Sequence, residues 1–363
     1  MDNNRLVFLD LAKFFAITGV ICSHAYLLGF EYQNSFNYTS YGRFGVQVFF
    51  LVSGATVFLS FNKIIKRFPN PLKIFYCRRF FRILPLFLFM AIVEYSLPSQ
   101  NSSKLLLETN NKSIFYFISP LAGLFPDSQS FIPGGWSIWN EIYFYLFLPF
   151  YYKFRNSIKS ILILAILFAS ISILINFLII PFGEFTQKDW NNYDFLNFFS
   201  QFIVFVFGVE FFGKRYINII LFSIIYFCSG LYFKFSIFKD YLFVADKGAN
   251  YFLPFISIFI FFLLHLISKI NFSHLEKSKF IPLSFLLSIG RMTYTLYFVH
   301  FYIIFLFRSI FAYYDKPFWF TSELSILIIF VLSITLTKFL KPFTEDLWVN
   351  LGKTFSKKIL ESK

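Results

Sequence analysis

The chain has 363 residues, 57% of them hydrophobic and only 14% charged, with 61 phenylalanines and a formal net charge of +14. A soluble domain of this length cannot enclose so much apolar surface, and the apolar runs are too long for core helices, so the sequence reads as an all-α, polytopic integral membrane protein. The basic residues fall in alternate short loops, which is the pattern of membrane orientation and argues against nucleic acid as the partner.

Apolar stretches of helix length occur at about 6–28, 43–61, 75–97, 137–153, 158–181, 195–213, 216–236, 250–270, 281–307 and 322–342. Each approaches the ~20 residues that cross the hydrocarbon, which gives about ten transmembrane helices. The first carries Asp10 and Lys13 and lacks an A-x-A site, so it reads as a retained helix and not as a signal peptide. The apolar stretch 112–125 is short, with Pro120 and Pro126 around its end, and reads as interfacial or re-entrant.

Lys63, Lys66, Arg67, Lys73, Arg78, Arg79 and Arg82 crowd the second connection and the start of the third span. Lys153, Arg155 and Lys159 occupy the fourth connection, Lys214 and Arg215 the sixth, and Lys269, Lys277 and Lys279 the eighth. The odd connections are balanced or acidic, as at Glu184, Lys188, Asp189 and Asp194. Ten spans with both termini cytoplasmic satisfy this alternation. Residues 1–345 then form one membrane domain and residues 346–363 a basic cytoplasmic tail, solvated or lying on the membrane surface. The long external connection 98–136 ends in a sharp Pro133-Gly134-Gly135-Trp136 turn that leads toward Glu141.

Four places carry chemistry at a cost the membrane makes conspicuous. Lys13 and His24 are eleven residues apart in the first span. At about 100° and 1.5 Å per residue they share one helix face within about 20° and stand roughly 16 Å apart. Asp10 precedes Lys13 by three residues and is placed to pair with it. The bland reading is a satisfied buried histidine with Lys13 snorkelling beside Asp10. Arg78, Arg79 and Arg82 form the second place; Arg79 and Arg82 share a face, and their planar forks suit phosphate, although basic residues at a cytoplasmic helix end also simply set topology.

Glu141 is the third, a carboxylate opening an apolar span beside Trp136, Asn140 and Tyr143, able to orient His24 or move a proton itself, or else one solvated Glu in an aromatic belt. The fourth stretch puts Arg291, Tyr297 and His300 in one span, lining the same cavity or pairing with lipid and backbone. Asp10, Ser53, Trp136, Asn140, Tyr143, Arg291, Tyr297 and His300 are accordingly candidates for a substrate pocket. No metal site is expected, because His24, His265, His274 and His300 lack zinc spacing, and the three cysteines form no CxxC pair. Walker A, G-x-G-x-x-G and G-x-S-x-G sequences are also missing.

In order along the chain, these segments resemble the acyltransferase-3 family of integral membrane acyltransferases. Lys13, ten residues and His24 are similar to its first-helix signature; Phe49-Phe50-Leu51-Val52-Ser53-Gly54 to its FF-x-x-SG pattern; and Arg79-Phe80-Phe81-Arg82 to its R-x-x-R segment. Trp136-Ser137 through Glu141 to Phe144-Tyr145-Leu146 and Pro149 resembles its W-S-x-x-x-E-x-x-F-Y-L-x-x-P block, and Tyr294 through His300 its Y-x-x-Y-L-x-H element. Lys13 stands where Arg is more frequent and Phe298 where Leu is usual.

The resemblance covers about residues 5 to 340 and implies a membrane acyltransferase domain without a fused esterase-like domain. It implies an O-acetyltransferase of the bacterial inner membrane that moves an acyl group, most often acetyl, from acyl-coenzyme A to a hydroxyl of a cell-surface or exported carbohydrate. Acyl-coenzyme A would be a co-substrate and no cofactor would be held permanently; the partners would be membrane lipid and the carbohydrate acceptor. His24 would be the general base with Glu141 as its partner, and Lys13, Arg78, Arg79 and Arg82 would hold the coenzyme A phosphates. The competing reading is a transporter or flippase of lipid-linked sugars that uses intramembrane charges as its path.

Overall fold

The computed structural model describes residues 4–27, 42, 44–96, 132–179, 196–235, 249–270, 283–313 and 323–361. The expected re-entrant stretch 112–125, most of the 98–136 connection and the acidic connection at 184–194 lie outside the described residues. Among the described residues there is no strand. The helices are α1 (Asn4–Leu27), α2 (Gly45–Arg67), α3 (Pro71–Ser96), α4 (Gly135–Phe154), α5 (Ile158–Ile179) and α6 (Phe198–Gly213). They continue as α7 (Tyr216–Phe235), α8 (Ala249–Ser268), α9 (Leu283–Arg291), α10 (Thr293–Tyr313), α11 (Glu323–Lys341) and α12 (Leu347–Glu361).

Within the described residues, the ten helix-length stretches read from the sequence coincide with helix. Among the described residues, three helical stretches are long and apolar enough to cross a membrane, Val7–Ala25, Gly45–Arg67 and Leu324–Ile359. A fourth is added if the pair Leu283–Arg291 and Thr293–Phe307 counts as one. The apolar stretches Ile158–Leu174, Phe198–Gly213, Tyr216–Leu231 and Leu253–Ser268 lie within further helices of differing length, α5 to α8. α6, for instance, stops after 16 residues, capped by Lys214 in the left-handed region at φ 56°. Large apolar side chains such as Phe15, Ile92, Leu146, Ile163, Phe259, Phe262, Leu327 and Phe339 point outward, as lipid-facing residues do.

Two places depart from the one-span pattern for visible reasons. The stretch 281–307 is two helices, α9 and α10, that meet at Met292 with a bend of 81°. Beyond α11, the turn Pro342–Asp346 is π-helical, and the Leu347 amide bonds the Pro342 carbonyl. Proline supplies no amide donor, so the regular ladder is broken there. The basic tail is helical as α12.

The chain divides into two compact units, the first comprising Met1–Phe49, Cys77–Asn101 and Leu263–Lys363, the second Phe50–Tyr76 and Ser102–Phe262. In the first, α1 packs against α9, α10 and α11, and α10 packs along α11. α12 lies on α3: Arg78 donates from Nε to Ser356 Oγ at 3.2 Å, and the Phe81 and Phe355 rings stack at 5.3 Å. Gly290 makes the α1–α9 approach feasible, since a Cβ there would run into the Asp10 carbonyl.

In the second unit, α4 packs on α6, and α5, α6 and α7 pack on one another. Phenylalanines fill the interior, with Phe144 stacked on Phe205 at 4.4 Å and Phe168 against Phe202 at 4.2 Å. At Gly54 a Cβ would strike the Phe205 carbonyl, so this glycine lets α2 lie close to α6.

Candidate active site

α1 runs unbroken through both residues of its signature, so Lys13 and His24 stand on one continuous helix. Lys13 pairs with Asp10 at 2.6 Å, the contact the three-residue spacing predicts. Asp10 is shared: its other oxygen takes the Nε of Arg291 at 3.0 Å. The Arg291 side chain remains 65% exposed, and its terminal nitrogens carry no hydrogen bond among the described residues. Gly290 seats the end of α9 on the Asp10 backbone, which delivers the neighbouring arginine to the carboxylate.

His24, toward the other end of α1, meets His300 of α10. Nδ1 of His24 lies 2.9 Å from Nε2 of His300, and the rings are nearly parallel at 12° with centroids 5.2 Å apart. His300 is fully buried, and its Nδ1 lies 3.2 Å from the Leu296 carbonyl. Phe301 packs on both rings, at 4.5 Å from His24 and 4.2 Å from His300. Tyr297, buried, lines the same side of α10 at 5.8 Å from His300 and meets Phe49 edge-on at 6.3 Å.

The α9–α10 bend therefore splits the fourth sequence stretch. Arg291 ends α9 beside Asp10 and Lys13, whereas Tyr297 and His300 accompany His24. Arg291 and His300 thus lie on opposite sides of the bend at Met292, one beside Asp10 and the other beside His24.

The arginines of α3 belong to the same unit. Arg78 is tied to Ser356 of α12, Arg79 is half-buried, and Arg82 is exposed. Ile83, next to Arg82, accepts a 2.9 Å hydrogen bond from the hydroxyl of Tyr294, three residues beyond Arg291. Hydrogen bonds thus connect Arg82's helix to the start of α10, close to where Arg291 meets Asp10.

The second unit holds the remaining candidates. Glu141 accepts from Ser53 Oγ at 2.5 Å and from the Tyr145 hydroxyl on the same oxygen. Its partners in this unit are these two hydroxyls, while the hydrogen bond found on His24 goes to His300. Sequence reasoning did not single out Tyr145 for this role, although it lies four residues after Glu141 and so on the same face. Asn140 is fully buried and donates to the Leu196 carbonyl at 2.7 Å, which ties α4 to the start of α6. Trp136 meets Phe50 edge-on at 5.9 Å, and Tyr143 is buried against Phe198 at 5.3 Å, so both serve packing here. The Pro133-Gly134 turn before them is sharp as expected, with Gly134 at φ 75°.

A histidine pair, with His300 buried, and two cations on Asp10 in the same unit are groups that can move a proton and meet an anion. Comparison with protein families matches the acyltransferase-3 family, described as an acyltransferase domain, over residues 6–338, so the chain belongs to that family and is a membrane acyltransferase. Comparison with curated proteins and with solved structures returned no significant match.

Proposed function

We propose that the protein is an O-acyltransferase that moves an acyl group, most simply acetyl, from acyl-coenzyme A to a hydroxyl of an exported or cell-surface carbohydrate. In this reading it resides in the bacterial inner membrane with about ten crossings and both termini cytoplasmic, which the alternating loop charge supports. The observation that carries the proposal lies in the first unit: Lys13 and the exposed Arg291, joined through Asp10, and the His24–His300 contact meet α1 at different heights of one continuous helix. The sequence spacing puts about 16 Å between Lys13 and His24, a length that suits an extended pantetheine arm.

The cationic cluster anchors coenzyme A phosphates from the cytoplasmic side. Arg291 adds a planar fork that Lys13 lacks. His24 acts as general base on the acceptor hydroxyl, which attacks the thioester carbonyl. Glu141 serves the transfer through the two hydroxyls it holds, Ser53 and Tyr145. A transporter reading would draw on broken helices in paired positions; among the described residues one bent pair is present, and membership of a transferase family weighs against that reading.

The test is acetyl-coenzyme A turnover by purified protein in nanodiscs with extracted surface glycan as acceptor, and mass spectrometry of the product. His24→Ala is expected to lower kcat by about 10³-fold or more while coenzyme A still binds. Unchanged glycan acylation by this variant would sink the assignment.

A further inference from the structure

Building on the transfer reading above, we infer that His300 is a positioning residue: it fixes His24 in the tautomer that leaves Nε2 without a proton. The Leu296 carbonyl can only accept, so the proton in its contact with His300 sits on His300 Nδ1. His300 is fully enclosed, and among the described residues no carboxylate is hydrogen-bonded to either ring. An enclosed imidazole without a counter-charge keeps one proton, so its Nε2 presents a lone pair.

That lone pair lies 2.9 Å from His24 Nδ1, and a hydrogen bond there requires His24 to donate. A neutral His24 then has its one proton on Nδ1. Its Nε2 is bare, which is the state a base needs.

The relay also suits the step that follows. The acceptor hydroxyl gives its proton to His24 Nε2 while its oxygen bonds the thioester carbonyl carbon; the C–S bond breaks, and the departing thiolate takes that proton from Nε2. In between, His24 is a cation whose Nδ1–H still points at His300 Nε2, and the hydrogen bond becomes charge-assisted. A third group behind a catalytic imidazole has the same orienting task in hydrolase triads, where it is a carboxylate. Here a neutral ring anchored to a backbone carbonyl performs it, without placing a second charge in the membrane. Phe301, against both rings, keeps them parallel.

The experiment has two arms. The chain has four histidines, so ¹⁵N-histidine NMR of the unaltered protein in nanodiscs resolves His24 by difference from His24→Ala. The expected spectrum shows a protonated Nδ1 and an unprotonated Nε2 on His24; the opposite tautomer overturns the inference. In the kinetic arm, His300→Leu removes the acceptor and is expected to lower kcat roughly 10²-fold with KM for acetyl-coenzyme A unchanged, whereas His300→Gln restores an acceptor oxygen and stays within about tenfold of wild type. Equal losses in the two variants, or no loss in His300→Leu, overturn the inference. If His24→Ala is inactive while His300→Leu is fully active, the transfer reading stands and only the relay falls. If His24→Ala is active, the transfer reading itself falls, whatever the tautomer.

Discussion

Among the described residues, each unit contains a cluster built around a carboxylate and an arginine, and the two differ in whether anything is left over. In the second unit Glu210 is completely buried and fully used. Arg155 binds it through Nε at 3.0 Å and through Nη2, the Tyr151 hydroxyl adds a bond at 2.8 Å, Asn218 Nδ2 one at 2.9 Å, and the Arg215 amide one at 3.3 Å. In the first unit Asp10 faces two cations, Lys13 and Arg291, and Arg291 keeps its terminal nitrogens in the open. The saturated cluster joins the end of α4 to the α6–α7 corner. The unsaturated one carries a surplus positive charge beside a helix break. Saturation is the mark of a structural ion pair, and in the proposed function the surplus is what would bind phosphate.

The largest effect should come from opening the closed cluster. Glu210→Ala leaves the Arg155 guanidinium enclosed without its counter-charge and strands Tyr151 and Asn218. A loss of about 3–5 kcal/mol is expected, read as a lowered thermal midpoint in detergent. Added coenzyme A should recover no more stability than it gives the wild type, because in the proposed function this cluster takes no part in binding it. A Glu210→Ala protein as stable as wild type would erase the contrast between the clusters.

Gly290→Ala should follow. The new Cβ meets the Asp10 backbone and not a flexible side-chain end, so α9 must retreat from α1. Overpacking of this kind costs about 1–3 kcal/mol. The same retreat pulls Arg291 off Asp10, so KM for acetyl-coenzyme A should rise along with the loss of stability. A stability loss with KM unchanged would detach the helix contact from the binding site.

Much of this was legible in the sequence, and the parts that were not have definite causes. The Asp10–Lys13 pair and the common face of Lys13 and His24 follow from helical periodicity alone, because both lie within one helix. The Glu141–Tyr145 hydrogen bond was equally available from its four-residue spacing. The partner of His24 was not: His24 and His300 are 276 positions apart, and Glu141 was an equally suitable candidate. The break at Met292 also escaped, since no proline or glycine pair marks it and the apolar run continues across it. That one bend decides which residues accompany Arg291. The corner at Lys214, by contrast, was legible, because the apolar stretches 195–213 and 216–236 stop on either side of it.

Arg291→Ala should have the smallest effect on stability and the most specific effect on function. The side chain is mostly exposed and its pair with Asp10 is solvent-screened, so the thermal midpoint should hardly move. Lys13 then neutralises Asp10 alone, and the surplus charge disappears. KM for acetyl-coenzyme A should rise about tenfold, equivalent to about 1.4 kcal/mol, with kcat nearly unchanged, because the lost contact lies far from the thioester. Arg291→Lys restores the charge but not the fork, and should recover roughly a third of the lost affinity on a logarithmic scale. Raising the salt concentration should weaken wild-type binding more than binding to Arg291→Ala, since one fewer screened contact remains. A variant with unchanged KM but lowered kcat would move Arg291 from the phosphate end to the histidine site.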